Sequence, residues 1–183
     1  MESRRSRKKK EELEPGKAAV VAGGWTILAH PLFLEAMERL VAAVEDEQAS
    51  SPGAPPKGNA KLLAHLLDLA FVKIPRDPGN AMYRHGGTLT NRRYWFRGKT
   101  GGGRYRLFYR YDSRAKIIIY AWVNDEDSLR TYGSKTDAYA VFAKMLDDGS
   151  PPNTWDELLK AAGAKSSKKR LEKLAAGAER KQR

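Results

Sequence analysis

The run Gly103-Arg-Tyr-Arg-Leu-Phe-Tyr-Arg-Tyr111 alternates with the period of an extended strand. Side chains on a strand point to opposite faces in turn, so Tyr105, Leu107, Tyr109 and Tyr111 share one face. Arg104, Arg106 and Arg110 share the other, with Phe108 among them. The pattern predicts a sheet with one core face and one cationic face. Its surroundings strengthen the second: residues 84–116 hold ten Lys or Arg and a single acid, Asp112. The flanking segments reverse the balance, residues 23–83 carrying net −2 and residues 117–163 net −4. A sheet with that density of guanidinium beside aromatic rings suits a polyanion, RNA foremost.

The 183-residue length allows one ordinary domain plus tails. With no cysteine, disulfides and thiolate metal sites are excluded and a reducing compartment is permitted. No apolar run approaches the roughly 18 residues of a membrane span, and the N-terminus is charged where a secretory signal needs an apolar segment. A cytoplasmic protein with no membrane association is expected.

The chain divides into a basic disordered tail (1–22), a domain (23–156) and a basic C-terminal extension (157–183) able to form a helix. The apolar positions of that helix, Leu171, Leu174, Ala175 and Ala178, are too few to require docking. Within the domain, Trp25–Ala29 reads as a strand and Pro31 starts a helix with Phe33, Met37, Leu40, Val41 and Val44 inward. After the loop 50–57, Asn59 is placed to cap a second helix rich in leucine, which Pro75 and Pro78 end. Three strands follow, 94–99, 104–111 and 116–124, as an antiparallel meander with the last one central. Asp137 or Thr136 caps a final helix with Tyr139, Phe142 and Met145 inward. The expected fold is α+β, in the order β-α-α-β-β-β-α, with a small, mainly antiparallel sheet packed on helices.

That order resembles the YhaV toxin family of type II toxin–antitoxin systems, in the RelE/ParE-like superfamily. The resemblance rests on Gly24-Trp-Thr-Ile-Leu-Ala-His-Pro-Leu-Phe33, Tyr83-Arg-His-Gly86, the Gly103–Tyr111 strand, Trp122–Tyr139 with its Asn124-Asp-Glu and Arg130-Thr-Tyr-Gly133 pieces, and Val141–Pro152. It implies a RelE-like fold and an endoribonuclease that cleaves mRNA without a metal, associates with ribosomes and arrests growth. It also implies a PrlF-type antitoxin, a swapped-hairpin DNA-binding protein, with operator DNA reached only through the antitoxin complex. By motif register, the catalytic basic residues of the RelE branch fall on Arg97, Lys99 and Arg106, and its tyrosine on Tyr132. One RelE arginine falls on Asp125 or Glu126, and Arg130 is the nearest basic replacement.

The residues support that chemistry independently. Cleavage by a ribose 2′-OH needs a proton acceptor, cations around the phosphorane and an acid for the 5′-oxygen. Arg106 offers a planar fork to phosphate oxygens without titrating. Tyr132 either stacks on a base or donates a proton, or else is a turn tyrosine packing on the last helix. His85 either does acid–base work or organises a loop beside its glycines; His30 and His65 are structural. Arg84, Arg92, Arg93, Arg104 and Arg110 read as RNA-backbone contacts. Asp125, Glu126 and Asp127 form a turn or face a partner, with Glu126 as an outside general base. Neither cofactor nor metal is expected. A non-catalytic RNA- or ribosome-binding module using the same basic face is the alternative, and a gyrase-poisoning toxin is disfavoured by the Asn124–Tyr132 segment.

Overall fold

A computed structural model describes residues 19–181. Two strands open it, β1 (Val21–Ala22) and β2 (Trp25–Ala29). Gly23 joins them at φ 56° with its backbone against Pro75, where a Cβ would lie 2.8 Å from the Pro75 carbonyl oxygen. Pro31 then occupies the first turn of α1 (Pro31–Ser50), capped by His30, whose Nδ1 accepts from the Leu32 amide at 3.1 Å. α2 (Gly58–Asp68) begins one residue before Asn59, so the expected Asn59 cap is not made; Asn59 donates instead to Glu47 Oε1 at 2.7 Å, tying α2 to α1. Helical winding continues through a π-turn (Leu69–Lys73) into α3 (Ile74–Arg76). Pro75 thus sits in a fresh first turn and does not stop α2.

β3 (Phe96–Thr100), β4 (Tyr105–Asp112) and β5 (Ile117–Val123) form the expected meander. The sheet order is β1-β2-β5-β4-β3, with β2 and β5 parallel and every other pair antiparallel. β5 is central, as its two apolar faces require. A register shift at Phe108/Tyr109 leaves Ala121 unopposed, so Ala121 and Trp122 pack on the same side. The architecture is α+β around a small mixed five-stranded sheet.

The strand alternation holds, but the reading of its second face is corrected. Leu107, Tyr109, Ile118 and Tyr120 pack in one core with residues of α1 and α2. On the other face Phe108, Ile119 and Ala121 meet a second core from α4 (Ala138–Asp147) and α5 (Trp155–Ala162). Phe108 stacks on Phe142 there with ring centroids 4.1 Å apart. Helices cover both faces because one phenylalanine among the arginines nucleates an aromatic layer, and the cations are left to its margins.

The segments beyond the domain are corrected as well. α6 (Lys165–Lys181) docks: Leu171 is buried in the first core with Leu174 and Ala178 against it. These positions (i, i+3, i+7) lie on one helical stripe, and a short stripe suffices once Arg170 clamps Glu38 of α1 through Nε and Nη2, both at 2.8 Å. Of the predicted 1–22 tail, Val21–Ala22 pair with β2, and the Val20 carbonyl accepts from the Ile27 amide at 2.8 Å. Residues 1–18, with most of that tail, lie outside the described residues. Among the described residues, no helix is long and apolar enough to cross a membrane.

Candidate functional site

The β3–β4 hairpin sets three cations on the face that meets α4. Arg97 pairs across the ladder with Phe108 and Lys99 with Arg106, so Arg97, Lys99 and Arg106 point the same way. Between them Gly98 faces the opposite side, where a Cβ would lie 2.8 Å from Leu69 Cδ2. Glycine at this position lets the π-turn press against the hairpin and fixes which face the cations take.

Arg97 and Arg106 are buried, 7% and 6% exposed, so each of their N–H groups is costly unless bonded. Both guanidinium groups converge on one hydroxyl: Arg97 Nε donates to Tyr139 Oη at 2.8 Å and Arg106 Nε at 3.1 Å. Arg97 Nη1 donates to the Met82 carbonyl at 2.7 Å. Arg106 Nη1 donates to the Gly103 and Tyr105 carbonyls at 2.6 and 3.1 Å. Nη2 of each has no partner among the described residues. Two oriented forks, anchored on the inside and open at the third nitrogen, make a geometry suited to an oxyanion.

Tyr139 is placed by the start of α4. Asp137 caps the helix, its Oδ2 accepting from the Tyr139 amide at 3.1 Å, while its Oδ1 accepts from the Thr131 amide at 2.6 Å and from Arg130 Nη1 at 2.5 Å. The Arg130 guanidinium lies over two rings, 3.8 Å from the Tyr132 centroid and 4.8 Å from that of Tyr139. Burial acts to raise the Tyr139 pKa, but the hydrogen bonds and charges of Arg106 and Arg97 outweigh it and bring the phenol below its ordinary value. Arg130 is shifted the other way: burial disfavours its charge, and the Asp137 carboxylate more than restores it.

The segment entering this cluster is held by Asn124. Its Oδ1 accepts from the Arg106 amide at 2.6 Å, and its Nδ2 donates to the Arg104 and Ser128 carbonyls at 3.1 and 2.9 Å. Asp125 then caps a short turn (Glu126–Ser128), its Oδ1 accepting from the Asp127 amide at 3.0 Å and the Ser128 hydroxyl at 2.9 Å. The acid cluster therefore forms a turn that aims the chain toward Arg130.

The sequence model of the YhaV toxins, described as a toxin with endonuclease activity of a toxin–antitoxin system, matches residues 27–163. The chain belongs to the YhaV toxin family. Ribonuclease toxin YhaV of Escherichia coli (strain K12) and toxin YhaV of Escherichia coli O157:H7 are each 46% identical to it over 138 residues, 74% of this chain and 90% of theirs. No solved structure matches it.

In this YhaV-family chain the fold brings Arg97, Lys99, Arg106, Arg130 and Tyr132 to one region, with Lys99 exposed and Tyr132 87% exposed. His85 takes the loop-organising option. It is buried, its Nδ1 accepts from the Gly87 and Leu89 amides at 3.2 and 3.3 Å, and its Nε2 bonds the Arg92 carbonyl at 2.9 Å. Both ring nitrogens are thereby engaged away from the arginine cluster. Of the expected backbone contacts, Arg84, Arg93 and Arg104 are exposed, whereas Arg92 is paired with Asp147. Arg110 is enclosed by Tyr94, Trp95 and Trp155, donates to the Asn153 carbonyl at 2.5 Å, and has its pKa pushed down chiefly by burial. Among the described residues no group of three or more His, Cys, Asp or Glu is arranged to hold a metal.

Tyr139 lies inward on α4 in the second core, as the sequence predicts, and its hydroxyl is also where Arg97 and Arg106 meet. The signal was present: a tyrosine at an inward helical position needs a partner for its hydroxyl. The strand face it meets is the one carrying arginines.

Proposed function

We propose that this chain is the toxin of a type II toxin–antitoxin pair, an endoribonuclease that cuts mRNA by attack of the ribose 2′-OH without a metal. The observation that carries the reading is the pair of buried arginines whose Nε groups meet on Tyr139 Oη while each keeps Nη2 for a substrate. Membership in a family described as toxins with endonuclease activity, and relatives named as ribonuclease toxins, support the same reaction class.

In this scheme the scissile phosphate sits against Nη2 of Arg97 and Arg106. The Tyr139 phenolate, made accessible by the two guanidinium donors, takes the proton from the 2′-OH. The 2′-oxygen bonds to phosphorus, the bond to the 5′-oxygen breaks, and Lys99 protonates the leaving oxygen. The products are a 2′,3′-cyclic phosphate and a 5′-hydroxyl. Arg106 and Arg97 stabilise the charge that grows on the non-bridging oxygens. Arg130, neutralised by Asp137, backs Tyr132, which stacks on a base beside the cut. We read the fold as a RelE-like variant, its β3–β5 meander backed by α1 and α2, and we assign it a PrlF-type antitoxin partner, ribosome-associated action and a cytoplasmic location. RNA cleavage by the purified protein in excess EDTA tests the reading, and RNA left intact under all ionic conditions would remove it.

A further inference from the structure

At the end of β4 away from Arg106 lies an open groove of about 500 Å³. Arg84, Arg93 and Arg114 line it, and all three are exposed. Tyr94 stands on its wall, 69% exposed, with the Arg110 guanidinium 5.3 Å from its ring centroid. Phe96 and Tyr111 also line it, and Arg84 lies 5.9 Å from the Phe96 centroid. The acid of the groove, Asp112, turns one carboxylate oxygen inward to its own chain, accepting from the Arg114 and Ala115 amides at 2.8 and 3.0 Å.

This groove is separate from the arginine–tyrosine cluster, none of whose residues lines it. Arg106 and Tyr111 are five residues apart on β4, about 17 Å at the strand rise. The path between them runs along the sheet edge: Arg97 holds the Met82 carbonyl, and Arg84, two residues on, lines the groove and bridges to Phe96.

We propose that the groove is a second RNA subsite, which grips the backbone of a single strand a few nucleotides from the cut and stacks one unpaired base on Tyr94. The inference rests on the ribonuclease reading for its ligand class. Three exposed arginines around an exposed tyrosine supply phosphate contacts and a stacking platform together, the combination by which single strands are held without reading their sequence. The planar ring requires a base free of its partner, so the site selects single strands over duplex.

The test is equilibrium binding of a fluorescent 15-nucleotide unstructured RNA across a salt series, beside single-turnover cleavage at saturating RNA. Tyr94→Ala should weaken binding of the single strand by about 5- to 150-fold, the range of one stacked base, and leave binding to the same RNA annealed to its complement unchanged. Tyr94→Trp should retain the affinity. The triple variant Arg84→Ala, Arg93→Ala, Arg114→Ala should lower the salt slope by about 2, at roughly 0.7 per phosphate contact on single strands. Single-turnover cleavage at saturating RNA, where weakened binding is overcome, reads the chemical step apart from affinity. Thermal melts establish that each variant folds. Unchanged affinity and slope in folded variants overturn the subsite even if the protein cleaves RNA. If the wild type binds but does not cleave, the ribonuclease reading falls while the binding arms still decide the groove. Equal losses on single strand and duplex would replace stacking with nonspecific charge attraction and overturn the proposal as stated.

Discussion

Tyr139→Phe removes one oxygen atom and separates the two consequences that the site assigns to it. In the folded protein Arg97 and Arg106 both donate Nε to that oxygen, at 2.8 and 3.1 Å. A buried donor left without an acceptor costs about 1–3 kcal/mol. Both arginines keep their backbone anchors on Met82, Gly103 and Tyr105 through Nη1, so the forks stay in place, and the two Nε donors left without an acceptor should together cost about 2–6 kcal/mol. Catalysis should suffer in its own right, because loss of a positioned proton acceptor lowers rates by about 10²- to 10⁴-fold. Chemical denaturation gives the first quantity and single-turnover cleavage at saturating RNA gives the second, with RNA affinity measured in parallel. A folded Tyr139→Phe protein that cleaves within about 3-fold of wild type would refute the role of the phenol and leave it a strut for the arginines.

Arg106→Ala should lose about 100-fold or more in cleavage rate, the scale of one preorganised contact to developing charge, with a much smaller loss in RNA affinity; equal losses in both would make Arg106 a binding residue. The rate should rise with pH as Tyr139 ionises and level off at a midpoint below the ordinary tyrosine value of about 10, since the two arginines depress it. A rate that falls over that range would assign the phenol as an acid. The same depression adds stability only as pH rises through the folded value of Tyr139, so near neutrality the wild type and Tyr139→Phe differ by the hydrogen bonds alone. Asp137→Asn should destabilise the protein by about 1.5–3 kcal/mol, because it takes the counter-charge from the half-buried Arg130; urea melts showing less than about 0.5 kcal/mol would contradict that account of the loop.

Much of the fold was legible because it follows from short-range periodicity. The alternation of Arg104–Tyr111, the doubly apolar β5, Pro31 at a helix start and Asp137 at a cap each depend on a few neighbouring residues, and each lies where expected. What escaped depends on longer range. Phe108 looked like an interruption in a cationic face, and only the packing of α4 and α5 makes it the seed of a second core. The docking of α6 sets Leu171 into the first core and adds the Arg170–Glu38 clamp, across 132 positions in sequence. The site divided the same way. Arg97, Lys99 and Arg106 came as candidates from the family resemblance, whereas the meeting of two of them on Tyr139 joins β3, β4 and α4 and lies beyond any local pattern. His85 was read both ways, and its ring nitrogens bond within its own loop, to Gly87, Leu89 and Arg92.

The most direct test of the arginine–tyrosine cluster as a ribonuclease site is the chemistry of the cut ends. An RNA cleaved by the purified protein in excess EDTA should carry a 2′,3′-cyclic phosphate and a 5′-hydroxyl by mass spectrometry, and a single 2′-deoxy substitution at the scissile nucleotide should abolish the cut. Products with a 5′-phosphate, or a 2′-deoxy substrate cut at the normal rate, would contradict attack by the 2′-OH.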